Sequence, residues 1–74
     1  MQIFPNPVTD YLNIEVQDFK SKTISYEIIN YQGKVVKTGS LEAPGIDVSA
    51  LNQGVFFLKI IKEDSVIYEE FIKK

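Results

Sequence analysis

Cysteine, histidine, arginine and tryptophan are all absent from the 74 residues of the chain. Without cysteine there is no disulfide, no thiolate nucleophile and no redox pair, and the missing histidine removes triads and the common zinc sites. Without arginine, and at a net charge of −2, the usual grip on phosphate backbones is missing, so no nucleic acid is expected as a partner. Without tryptophan, a stacking platform for sugars would rest on tyrosine and phenylalanine alone. No apolar run approaches the ~20 residues of a membrane-spanning helix, so no transmembrane segment is expected. Met1–Phe4 lacks the basic start and apolar centre of a signal peptide, and Met1 reads as an initiator added where a longer chain was cut. The expectation is a single C-terminal domain, residues 1–74, excised from a larger protein, with no cofactor.

What is present is a soluble composition, 45% hydrophobic and 24% charged, that can fold alone with a stability of roughly 4–11 kcal/mol for this length. Leu51 to Ile61 is the most apolar stretch and reads as the central strand. Its continuity predicts that both of its faces are covered. Leu51 is expected to plug the end of the core, Gly54 to adopt positive φ, and Phe56 to return to the core. Ile3–Phe4 can form only a short strand before Pro5, Asn6 and Pro7. Tyr11 to Val16 alternates with Leu12, Ile14 and Val16 on one face, and Ile24, Tyr26 and Ile28 repeat the pattern. Asn30 to Gly33 has the composition of a hairpin turn, and Lys34 to Thr38 returns from it. Gly39 to Gly45 reads as a loop, Ile46 to Val48 as a short strand, and Ser49 to Gln53 has room for one helical turn. The last strand, Val66 to Ile72, has mixed faces, with Ile67 and Phe71 on one and Val66, Tyr68 and Ile72 on the other, and the pattern leaves open which faces inward.

No sustained helical period occurs, and short strands at roughly ten-residue spacing predict an all-β fold: a small immunoglobulin-like antiparallel sandwich of about seven strands, its strand order open. The predicted core is Leu12, Ile14, Ile24, Tyr26, Ile28, Val48, Leu51, Phe56, Leu58 and Ile60. Phe4, Phe57 and Phe71 stand in apolar contexts, while Tyr11, Tyr31 and Tyr68 are the candidates for exposure. An exposed last strand leaves an edge-strand dimer open.

Carboxylates are the remaining catalytic material. Glu69 and Glu70 are strand neighbours that point to opposite faces and cannot easily flank one bond. Asp47, Ser49, Glu63 and Asp64 carry calcium-type oxygens but lack the alternating order of a calcium loop. No catalytic or metal residue is assigned. Pro5 and Pro7 read as an edge-blocking stiffener and Lys73–Lys74 as a solvated tail, so residues beyond Phe71 are expected to be dispensable for folding.

Taken together, Phe4–Pro7, the alternating strand after it, Asn30 with Gly33 to Val36, Ile46 to Phe56, and Glu70 to Lys73 resemble the type A C-terminal sorting domain of the type IX secretion system. The resemblance spans nearly the whole chain. It implies a non-catalytic signal at the C-terminus of a secreted cargo that transits the periplasm of a Gram-negative bacterium to the outer membrane and cell surface. It also implies partners: the outer-membrane translocon, a sortase-like cysteine protease that removes the label and joins the cargo to lipopolysaccharide, and the covalently attached N-terminal cargo.

By position, the resemblance assigns recognition to Pro5, Asn6, Pro7, Gly33, Leu51, Gly54, Phe56, Phe71, Lys73 and Lys74. The chain departs from the family in having Phe56 where tyrosine is usual, Glu70 where lysine is common, and Asn30 for aspartate. A second function fits the composition as well, that of a fibronectin-like or carbohydrate-binding accessory module of a secreted enzyme.

Overall fold

Alternating apolar residues become strands throughout the residues that the computed structural model describes, 1–15, 24–42, 44–63 and 65–74. Those strands are β1 Gln2–Phe4, β2 Tyr11–Glu15, β3 Ser25–Asn30, β4 Val35–Ser40, β5 Gly45–Asp47, β6 Gly54–Lys62 and β7 Ser65–Lys73, with no helix among the described residues. They form a three-stranded sheet in the order β1-β2-β5 and a four-stranded sheet in the order β4-β3-β6-β7. All pairings within the sheets are antiparallel. This is the predicted sandwich, and the strand order left open by sequence is now fixed. Val16 lies outside the described residues.

Side-chain alternation aims one face of each sheet at the other. Leu12 and Ile14 of β2, Tyr26 and Ile28 of β3, and Phe56, Leu58 and Ile60 of β6 are buried, with Ile24 and Val48 beside them. Each side chain of this kind withdrawn fully from water contributes about 1.5–3 kcal/mol. Val8, Leu41, Ile46 and Phe71 complete the core. Isolated apolar residues beside turn formers carry no periodic signal, which hid Val8 and Leu41 from the sequence pattern.

The structure corrects several expectations. β6 is not covered on both faces: Val55, Phe57, Lys59 and Ile61 are only half-buried. The antiparallel sheet rests one face on the core, and its other face is held by cross-strand pairs. In register, Ile29 and Glu70 flank Phe57, and Val66 lies beside Ile61. Lys59 Nζ sits 3.8 Å from Glu27 Oε1 and 5.9 Å from the Tyr68 ring centroid.

Phe4 is 47% exposed rather than core, since its neighbour Ile3 takes the inward parity of β1. Leu51 is half-buried, packed on the core's edge rather than plugging it. The segment predicted to loop from Gly39 continues as strand through Ser40 because Tyr26 and Gly39 are cross-strand partners. A Cβ at Gly39 would meet the Tyr26 ring at 3.2–3.4 Å, so glycine lets that ring lie flat on its neighbour. Ser49 to Gln53 holds no helical turn. A single Leu51 N–H to Val48 O bond of 3.0 Å closes the corner instead. The last strand turns its Ile67 and Phe71 face inward, and Val66, Tyr68 and Ile72 outward.

Gly54 has φ +148° with nothing within 4 Å of an added Cβ. Gly54→Ala should therefore cost about 1–3 kcal/mol through backbone conformation alone. Leu58→Ala should cost about 2–5 kcal/mol by opening a cavity, and half-buried Leu51→Ala clearly less. Urea midpoints order the three, and a Leu51→Ala loss equal to that of Leu58→Ala would contradict the corner as described.

Candidate recognition site

The residues singled out in the sequence lie far apart along the chain, and sheet register brings them to one end of the sandwich. Asn30 pairs with Phe56 across β3 and β6. Across β6 and β7, Phe56 pairs with Phe71 and Gly54 with Lys73. The rings of Phe56 and Phe71 stack with centroids 5.7 Å apart and planes at 21°. Both are buried, so they position this end from within rather than presenting themselves.

The hairpin at this end is built by Asn30. Its Oδ1 accepts from Gln32 N–H at 2.9 Å and from Lys34 N–H at 3.0 Å, the local bonding that lets asparagine replace aspartate in such turns. Gly33 N–H donates to Asn30 O at 2.9 Å, and Gly33 takes φ +88°. Between this turn and the corner lies an open groove of about 470 Å³ with Tyr31, Leu51 and Phe56 among its lining residues.

The N-terminal motif meets the C-terminal tail directly. After β1, the chain leaves its own sheet and runs beside the last residues of β7. There Val8 forms a parallel bridge with Lys73. Val8 N–H donates to Ile72 O, and Lys74 N–H to Val8 O, both at 2.8 Å. Asn6 Oδ1 accepts from Ile72 N–H at 2.9 Å, and Asn6 Nδ2 donates to Glu70 O at 3.4 Å. The Asn6 amide thus takes the place of a peptide unit where proline on either side cannot donate. The Phe4–Pro5 and Asn6–Pro7 bonds are both cis. Pro5, Asn6 and Pro7 are exposed.

This arrangement overturns the reading of the tail as frayed. Lys73 is 7% exposed and Val8 fully buried. Lys73 shares the inward parity of Phe71, so its stem covers the core while Nζ reaches the Lys74 carbonyl at 3.2 Å. Lys74 and Ile72 are the tail residues whose side chains face water. Sequence could not show this, because two terminal lysines look alike until the strand's parity is known.

The oxygen-bearing residues are used locally. Asp47 Oδ1 accepts from Ser49 N–H at 2.9 Å and Ser49 Oγ–H at 2.7 Å. These bonds, the hydroxyl's first, hold the Asp47 carboxyl below the usual carboxylate range. Among the described residues no three His, Cys, Asp or Glu side chains are grouped as for a metal ion, and Asp64 lies outside them. No helix among them is long and apolar enough to cross a membrane. Glu69 and Glu70 fall on opposite faces of β7.

The sandwich thus laces two segments from opposite ends of the chain together along the edge of β7. The model of the secretion system C-terminal sorting domain family matches residues 2–74, and the chain belongs to that family, the sorting domains of type IX secretion. The family is one of sorting signals on secreted proteins and is not catalytic. The chain is also 34% identical over 62 residues to beta-agarase D of Zobellia galactanivorans, covering 84% of this chain and 12% of that protein.

Deleting Ile72 to Lys74 removes the clasp and should destabilise the fold by about 0.5–1.5 kcal/mol per lost bond, read as a lower urea midpoint, whereas Lys74→Ala alone should not. Asn6→Ala should show part of the same loss. For Asp47, a depressed folded pKa contributes stability that is present above the unfolded value and lost as pH falls through the folded one. Ser49→Ala should therefore raise the Asp47 midpoint in a carboxyl NMR titration. An unmoved midpoint would show that the hydroxyl does not hold the charge.

Proposed function

We propose that residues 1–74 form the C-terminal sorting label of a larger exported protein, and that the label is read at the end of the sandwich where Pro5–Asn6–Pro7 meets the tail. The observation that carries this reading is the clasp from Asn6 and Val8 to Ile72 and Lys74, which joins motifs from both ends of the chain into one exposed patch. The readers are protein partners: an outer-membrane translocon, then a sortase-like protease that cuts the label from its cargo and transfers the cargo to surface lipopolysaccharide. The cargo crosses the inner membrane by the general secretory route, transits the periplasm of a Gram-negative bacterium and ends secreted or on the cell surface. The likeness to beta-agarase D, of which the matching stretch is 12%, supports a label joined to a much longer cargo.

Within the patch the roles divide by exposure. Phe56, Phe71 and Lys73 are buried and hold the surface in shape, as do Gly33 and Gly54 through positive φ. Pro5, Asn6, Pro7 and Lys74 are exposed and available for contact, with Leu51 at the border of the adjoining groove.

Fusion of residues 1–74 to a periplasmic reporter, in a bacterium carrying the secretion system, tests the reading. The wild-type fusion should reach the medium or surface. Lys74→Ala should retain the reporter in the periplasm while leaving the unfolding transition in place. Undiminished export of that folded variant would move recognition elsewhere on the sandwich.

A further inference from the structure

The open groove between the Asn30 turn and the corner before Gly54, about 470 Å³ in volume, has the size of a small-ligand site. Four residues with amide side chains, Asn30, Gln32, Asn52 and Gln53, line it beside Tyr31 and Leu51. Tyr31 is 81% exposed, yet its turn is fixed by the bonds from Gln32 N–H and Lys34 N–H to Asn30 Oδ1 and from Gly33 N–H to Asn30 O. An aromatic ring left to water on a rigid turn is a preorganised contact surface. The same bonds occupy Asn30 Oδ1 and leave its Nδ2 as a donor in a fixed amide. The side-chain amides of Gln32, Asn52 and Gln53 and the Tyr31 hydroxyl bond to no described residue.

We propose that this groove binds a segment of a neutral oligosaccharide chain, with one sugar ring laid on Tyr31 and its hydroxyls bonded to the amides of Asn30, Asn52 and Gln53. The lining selects that chemistry. None of the described residues that line the groove is charged, so an anionic or cationic ligand would be partly withdrawn from water with no counter-charge. A neutral sugar carries no such cost. Its ring offers C–H bonds to the aromatic face, and each hydroxyl both donates and accepts, as each amide does. A planar amide presents its carbonyl and its N–H groups side by side and so matches two adjacent ring hydroxyls. The sheet disfavours an extended peptide in the same place. Strand addition needs a free edge, whereas β3 lies between β4 and β6, and β6 between β3 and β7. A proline-rich helix docks among several exposed rings, and here Tyr31 stands alone, since Phe56 is buried.

The proposal stands apart from the sorting reading, because it concerns a ligand of the folded domain and its test needs no secretion system. Maltohexaose, cellohexaose, laminarihexaose and mannohexaose serve as neutral probes, hexagalacturonate as a charged one and a proline-rich decapeptide as a peptide one, each titrated into the isotope-labelled chain. At least one neutral hexaose should give saturable shifts of the Tyr31, Gln32, Asn52 and Gln53 amide signals, and hexagalacturonate and the peptide should give none. Tyr31→Ala should weaken that binding about tenfold, the scale of an aromatic contact at an interface. Gln53→Ala should weaken it about threefold, as for one hydrogen bond, and Tyr31→Phe should retain most of it. Both side chains are exposed, so the melting transition should be unchanged in all three variants.

No saturable shift with any of the four neutral probes at millimolar concentration overturns the proposal. So does binding of hexagalacturonate or of the peptide at these residues in preference to every neutral hexaose, or a hexaose affinity that folded Tyr31→Ala leaves unchanged. Saturation transfer from the aromatic protons of the wild-type chain to the sugar C–H protons checks the stack without any substitution, and a bound hexaose that receives none overturns it as well.

Discussion

A sandwich of this size depends on the inner face of β6. Phe56, Leu58 and Ile60 are buried along it, and β6 is paired on both sides, with β3 from Phe56 to Ile61 and with β7 over its whole length. Two-sided pairing fixes the register of the four-stranded sheet, and a slip of one residue would turn the three buried side chains to water. At about 1.5–3 kcal/mol for each such side chain, the loss would rival the whole stability of a domain this small. Register at β6 therefore decides where Asn30, Gly54, Phe71 and Lys73 stand, although none of them has chemistry in common.

The second constraint is closure. Two thin sheets, with no helix among the described residues to cap them, leave open edges, and the chain seals part of one with its own N-terminal segment. The prolines around Asn6 stop that segment from becoming an ordinary ladder strand, because neither can donate. The asparagine amide supplies the missing donor and acceptor, and Val8 supplies the buried anchor. Since the segment follows β1 of one sheet and binds β7 of the other, the clasp also ties the two layers together.

Strand existence was legible because period-two alternation is strong in Tyr11 to Glu15 and Ser25 to Asn30, and because Asn30 and Gly33 state their turn chemistry openly. The outer face of β6 was misread because Val55, Phe57 and Ile61 are apolar, and apolarity alone does not separate a buried face from one held by cross-strand pairs. The site was legible as a set of motif residues but not as an object. Nothing in the spacing of Asn6 and Ile72 signals a hydrogen bond between them. Lys73 was misjudged because burial of an amphipathic side chain is decided by strand parity, and mixed apolar residues on both faces of Val66 to Ile72 left that parity open.

Parity also governs what the molecule presents. On β7 the inward set ends in Phe71 and Lys73 and the outward set in Ile72, with Lys74 exposed just past the strand, so alternate residues of one short tail serve the core and the surface. The outward pair stands beside Pro5, Asn6 and Pro7 only when the clasp is made, and the clasp is made only when β6 holds β7 in register. A partner that contacts both ends of the chain at once thereby reads the folded sandwich, since in an unfolded chain the same residues are separated by nearly its entire length. The motif residues that sequence shows as scattered and individually weak divide, in the folded chain, into a buried set, Phe56, Phe71 and Lys73, and an exposed set, Pro5, Asn6, Pro7 and Lys74, that the core brings together.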